Sequence, residues 1–420
     1  MLFAEIVTAN NTYRIATRGH AGQYWWSPSI IRVPRLSLGH ADAGGYVKPA
    51  FGDLTITPDL LEASDWPPPA TCDITLWWGL DEASRFQVFR GIARHERTTR
   101  AGITYSLFEP AYAQTVLDTG ADETGAAVDV PMAFGAASHL SAQRTGTDTE
   151  FRYYTSGATG TVGTDWHVYD DGVNIDSNVT DNGDGTFSLS SAPVGEVTIS
   201  LVTPNKGDLA SLFSWGATTL GLSLDITAAA TPSPAIAFKV TTQVNVIDLL
   251  DRLAGFHNHV FYIDAGTLYL VDREQDNGSQ VLTEWDYFSA PTSMPNPIKE
   301  LRAEWTVREP VTDRTGSHLK DVTQTAAAAG PDPLGEVISV TPYQEDPAQV
   351  ETALGLLVTS WQRPYGEIRM PLLAQPVPGR HIEWTDTGQG RQISGWLRVR
   401  RITYDFARGF VTVAGDGGVA

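Results

Sequence analysis

His257-Asn258-His259 sets two imidazoles one residue apart, a pattern that invites a metal-dependent nuclease reading. Nuclease histidines of that kind come from separated positions around a metal. This triplet falls between a helix stop and a strand, so it reads as a polar cluster at a strand end. The lone cysteine, Cys72, excludes a disulfide framework and a Cys-rich zinc or iron-sulfur site, and no motif places a histidine beside it. It reads as a small buried hydrophobe. Gly120 and Gly125 lack the Lys-Ser/Thr sequel of a phosphate loop, and no Gly-x-Ser-x-Gly elbow is present. In Asp181-Asn182-Gly183-Asp184-Gly185, glycines stand where calcium ligands belong, which favours a hairpin over a cation loop. Carboxylate pairs leave glycoside hydrolysis open as a minor reading, because two suitably spaced acids can come from anywhere in a β-fold. The expectation is no catalytic residue, no cofactor and no metal.

Aromatic pairs carry the other chemistry. Trp25-Trp26 and Trp77-Trp78 are adjacent, and neighbours on a strand face opposite sides, so one of each pair is expected inside and one outside. An outward Trp suits an interface anchor or a sugar-stacking platform. A two-sided core is an equally open reading for any one of them.

Composition sets the class of protein. The 420 residues allow about two to four domains. The 42% hydrophobic content supports packed cores, and 39 Gly, 25 Pro and abundant Thr, Val, Trp and Tyr favour strands and turns. Lys+Arg 29 against Asp+Glu 49 gives −20, a charge that opposes sequence-independent nucleic-acid binding. No window approaches the roughly 18 apolar residues of a spanning helix, and the first residues read as a strand rather than a signal peptide. The chain is expected to be soluble, without stable membrane insertion.

Four units are expected along the chain. Residues 1–118 form a β-rich unit, and the low-complexity stretch Thr119 to Ala127 marks a boundary. Residues 128–204 are short strands with Asp-Gly turns, among them Asp170-Asp171-Gly172-Val173. Residues 235–310 hold a helix over Val246, Leu249, Leu250 and Leu253, capped by Asn245 and stopped at Gly255, and then a hairpin turning at Asp264-Ala265-Gly266. Thr323 to Gly335 reads as an exposed mobile loop, and Pro347 to Trp361 as a helix with Val350, Leu354, Leu357, Val358 and Trp361 on one face. Residues 335–420 close the chain as a second β-domain behind that helix.

Two hairpins three hundred residues apart look like copies of one another. Gly91 is followed by Arg94 and Arg97, a turn near Gly102 and the return Ile103 to Leu107; Gly395 is followed by Arg398 and Arg401, a turn near Gly409 and the return Phe410 to Val413. Pro378-Gly379-Arg380-His381-Ile382-Glu383-Trp384, with Gly395 to Asp405, resembles the closing barrel of tailed-phage baseplate hub proteins. Pro131 to Gly135, Val168 to Val173 and Gly185 to Gly195 are similar to the insert of siphophage hubs, and the helix-hairpin from Ile247 to Leu270 follows in the expected order.

This resemblance implies a mainly β, multidomain fold: two related barrel-like domains at the chain ends, with an all-β insert and an α+β helix-hairpin domain between them. It implies a homotrimer whose six barrels match a hexameric tail tube to a threefold tip. The implied partners are distal tail or tail tube proteins and tail fibre or central tip proteins, with genomic DNA only in passing. The implied place is the distal end of the virion tail, after a soluble stage in the host cytoplasm. Trp25, Trp26, Trp77, Trp78, Arg94 and Arg398 are the candidate interface residues. A carbohydrate-binding distal tail protein is the alternative.

Overall fold

The computed structural model describes all residues except 40–47, 109–114, 117, 122–126, 131, 146, 153–160, 204–206, 230–232, 241–242, 265, 276–278, 284–287, 295–296, 315, 372–375, 387–392 and 420. Among the described residues the chain is mainly β and multidomain, with a nearly closed barrel-like sheet and three α-helices.

The first sheet runs in the order Thr12–Ala16, Leu2–Val7, Thr71–Trp78, Phe86–Thr98, Ile103–Phe108, Asp53–Ile56, Ile30–Arg32. Its strands alternate as the sequence does: Cys72, Ile74 and Leu76 are buried while Thr71 and Asp73 are exposed. The second sheet runs Ser279–Leu282, His381–Asp386, Ile393–Asp405, Phe410–Val419, Tyr365–Pro371, Ser289–Met294. A hairpin from the first unit, Arg35–Gly39 with Lys48–Phe51, joins it by pairing with Ile393–Asp405, Leu36 opposite Tyr404. Residues 1–118 therefore build both sheets. One apolar core unites them, in which Ile6, Ile15, Leu54, Ile74 and Phe89 pack in the same cluster as Ile368, Met370, Leu397, Val399 and Val413. Each such side chain contributes about 1.5–3 kcal/mol through removal from water.

The insert is two facing sheets. Val173–Asn174, Trp166–Asp170, Val197–Thr203, Met132–Ser141 and Ala237–Val240 form one; Gln143–Arg144, Glu150–Arg152, Thr186–Leu189 and Val179–Asp181 form the other. Phe151, Trp166, Phe187 and Ile199 fill the space between them. Asp171 and Gly172 both take positive φ, 50° and 81°, between the paired Asp170 and Val173, which is the two-residue hairpin turn that Asp-Gly encodes. The expected boundary stretch carries strand at both ends, since Asp118–Ala121 pairs antiparallel with Ala127–Val130.

Helix α1, Leu209–Leu220, was not expected from the sequence. Asp208 caps it, accepting from Ser211 N at 2.9 Å, and Gly221 ends it at φ 68°. Helix α2, Val246–Phe256, begins where predicted, with Asn245 Oδ1 accepting from Ile247 N at 2.8 Å. Its stop differs. Gly255 remains helical, and Asn258 at φ 58° makes the left-handed turn into the strand His259–Asp264, a conformation Asn tolerates. That strand and Thr267–Asp272 form the expected hairpin.

Helix α3, Pro347–Trp361, buries all five predicted face residues. It lies on a long hairpin of Ile298–Asp313 and Gly316–Ala329. The Thr323 to Gly335 stretch is thus a strand through Ala329 rather than a mobile loop. Ala326 is buried in the core beneath α3, where small side chains let a helix approach the sheet closely. No helix among the described residues is long and apolar enough to cross a membrane.

Candidate functional site

The two hairpins correspond residue by residue. Arg94 faces Ser106 and Arg97 faces Thr104 across a bulge at Glu96; Arg398 faces Asp416 and Arg401 faces Ala414 across a bulge at Arg400. On one flank Gly91 pairs with Ile74 and Gly395 with Trp384, and on the other Ile103 pairs with Ile56 and Val413 with Ile368. Five strands in each sheet share order and antiparallel direction: Thr71–Trp78, Phe86–Thr98, Ile103–Phe108, Asp53–Ile56, Ile30–Arg32 against His381–Asp386, Ile393–Asp405, Phe410–Val419, Tyr365–Pro371, Ser289–Met294. A one-residue slip would turn every core side chain outward, so agreement through a shared bulge marks two copies of one unit.

The copies differ at their outer faces. Arg94 stays in solvent, bonded to Glu96 at 2.9 Å and stacked over Phe108 at 4.6 Å. Its counterpart Arg398 is buried; Glu274, just past the helix-hairpin unit and bonded by Asn258 Nδ2 at 3.1 Å, lies against it. Arg398 Nη1 lies 3.6 Å from both Asp416 and Glu274, while its Nε meets His381 Nε2 at 3.2 Å. Arg400 Nε donates to Asp416 Oδ1, and Arg363 to Glu274 at 2.6 Å. Burial alone would push the Asp416 carboxyl up; Arg400 and Arg398 overturn that and hold it below its ordinary value. The Arg398 guanidinium is itself pushed down, by burial first. This buried cluster binds the second sheet to the helix-hairpin unit.

Burial removes two of the six candidate contact residues from any partner. Arg398 is one. Trp26 is the other, fully buried against Phe3 at 5.2 Å and Trp77 at 6.0 Å, with the Arg85 guanidinium 4.8 Å from the rings of Trp26 and Trp77. Trp25 projects on the opposite side with 63% of its surface exposed. Glu82 holds this tip, pairing with Arg85 at 3.1 Å and accepting from Gln23 N at 2.7 Å. Trp77 and Trp78 are both half-buried; Trp78 meets Phe406 at 5.2 Å, tying the first sheet to the second. Trp25 and Arg94 thus carry the open surface among the six.

The groups with catalytic names are held for packing. Burial pushes the His257 imidazole down to about 3, and His259 is also lowered by burial while sharing its Nδ1 proton with the His257 carbonyl at 2.7 Å. The His257 imidazole therefore stays neutral near neutral pH. Burial pushes the Cys72 thiol up to about 12, and its Sγ points at the Ala93 carbonyl. In the Asp-rich loop the carboxylates serve their own turn, Asp181 accepting from Gly183 N and Asp184 from Thr186 N and Oγ1. Asp65 stands in no motif of the sequence. Its carboxylate accepts from Tyr13 Oη at 2.5 Å and from Asn11, Asn10 and Thr8, and the Tyr13 hydroxyl leads in holding it at about 2. The polar run Thr8 to Tyr13 was the only signal.

No protein-family model matches the chain, and no curated protein matches its sequence. Solved structures similar to it include the 43 kDa tail protein of prophage MuSo2 from Shewanella oneidensis, at 10% identity and TM-score 0.46 over 99% of this chain and 95% of that one. The tail protein from Neisseria meningitidis is similar at 10% identity and TM-score 0.44, over 99% and 96%. Prophage tail protein gp18 from Listeria monocytogenes is similar at 11% identity and TM-score 0.32, over 70% and 93%.

Proposed function

We propose that the chain is a structural protein of a phage tail, and within the tail the baseplate hub. In this reading it is a homotrimer that matches a hexameric tube to a threefold tip, anchors fibres or receptor-binding proteins, and lets genomic DNA pass. The observation that carries the proposal is the repeated five-strand unit, conserved through its bulge and register within one chain. Three chains with two such units each present six related barrels, the simplest way for threefold symmetry to meet sixfold. Divergence of the outer faces fits the same scheme, since two copies with different neighbours need different surfaces. The exposed Trp25 and Arg94 are the proposed contact residues, and catalysis has no part in the role.

Native mass measurement of the purified chain tests this. Three copies of the 45.5 kDa chain give about 137 kDa. A stable monomer across micromolar concentrations would contradict the hub.

A further inference from the structure

A cavity of about 300 Å³ lies between the edge strand Ser223–Ala228, the hairpin His259–Asp264 with Thr267–Asp272, and the turn leading into His381–Asp386. Asp225, Thr227, Tyr262, Tyr269, Val377 and Arg380 line it. It belongs to neither the paired hairpins nor the tryptophan tip. Tyr262 and Tyr269 are opposite one another across the hairpin, with rings stacked at 4.9 Å and 11°. Each ring fixes the other, so the aromatic wall is formed in advance. Asp225 Oδ1 accepts from Thr227 N at 2.9 Å and Thr227 Oγ1 at 2.7 Å, which orients the carboxylate. Arg380 is exposed, and burial first pushes the Tyr262 hydroxyl up, a rise that Arg380 opposes and Asp225 reinforces.

We propose that this cavity is a subsite for a neutral saccharide ring. An aromatic wall packs against the apolar C–H face of a sugar, while a carboxylate whose Oδ1 is fixed by Thr227 and a guanidinium able to bond two neighbouring hydroxyls read its edge. The paired charges select against other small ligands. Asp225 repels a phosphate or carboxylate, and Arg380 repels a cation. The volume sits at the small end of ligand pockets, suited to one ring rather than a long chain. Ala228, Leu270, Val271, Val377 and Pro378 supply the apolar part of the lining.

Ligand-observed NMR titration of the intact protein with glucose, galactose, N-acetylglucosamine and rhamnose tests the assignment. At least one sugar is expected to saturate with a dissociation constant on the order of millimolar. Tyr269→Ala and Arg380→Ala should each weaken it about tenfold or more, and Tyr269→Phe should retain it. Arg380 is exposed, so its variant reads binding even if Tyr269→Ala disturbs the fold. The proposal is overturned if no sugar saturates, if Arg380→Ala binds as the parent does, or if free glycine or inorganic phosphate occupies the cavity instead. None of these outcomes bears on the trimer.

Discussion

Arg94 and Arg398 occupy the same register position in two copies of one hairpin, the first paired with Glu96 in solvent and the second sealed against Asp416 and Glu274. Their environments predict opposite consequences for the same substitution. Arg398→Ala removes one guanidinium from a buried cluster in which Asp416 keeps Arg400 and Glu274 keeps Arg363, and should cost about 1.5–3 kcal/mol of folding stability. Arg94→Ala should change stability by no more than about 0.5 kcal/mol. Urea denaturation of both variants measures the difference, and equal effects would contradict the assigned roles.

The tryptophan tip should separate folding from assembly. Trp26→Ala is expected to cost about 3–5 kcal/mol, since it empties the space between Phe3 and Trp77. Trp25→Ala should leave the subunit's stability within about 0.5 kcal/mol and weaken association by about 2 kcal/mol or more. Thermal unfolding reads the first quantity and the concentration dependence of oligomer mass the second. A Trp25→Ala protein that assembles like its parent would remove Trp25 from the contact surface.

Acid should destabilise the fold well above the range of ordinary carboxylates. The folded pKa of His257 is depressed from 6.5 to about 3, so below 6.5 the unfolded chain takes up a proton that the native chain refuses. Stability is therefore full above 6.5 and declines as pH falls toward 3, with His259 acting in the same direction. His257→Asn should flatten the dependence of the urea midpoint on pH across that window. An unchanged slope would show that the depressed imidazole is not its source.

Local signals made part of this architecture legible. Asn245 before an apolar stripe, Pro347 at a first turn and Asp171-Gly172 between β-prone residues act over a few residues, and the structure follows each. The repeated Gly91 and Gly395 hairpins were visible because register preserves side-chain type. Pairings far apart in sequence were not. Nothing near Arg35–Gly39 says that it joins the second sheet, and nothing near Arg398 says that Glu274 lies against it, so both were placed by proximity in sequence. Helix α1 did carry a signal, with Asp208, Gly221 and Leu209, Leu212, Phe213, Leu220 at helical spacing, but its Ser, Thr and Gly content masked the period. Ala-rich Gly316–Ala329 misled in the opposite sense, because alanines that admit a packed helix look like a flexible tract.

A cryo-EM reconstruction of the purified oligomer, computed without imposed symmetry, tests the central claim most directly. The hub reading predicts threefold symmetry with six barrels in pseudo-sixfold array, the Gly91 and Gly395 hairpins alternating around the ring. Each chain carries −20, so association must rely on apolar and strand-edge contacts, and the central passage is predicted to be lined by acidic and neutral side chains that do not hold genome phosphates. True sixfold symmetry, or a ring in which the two hairpins do not alternate, would contradict the account.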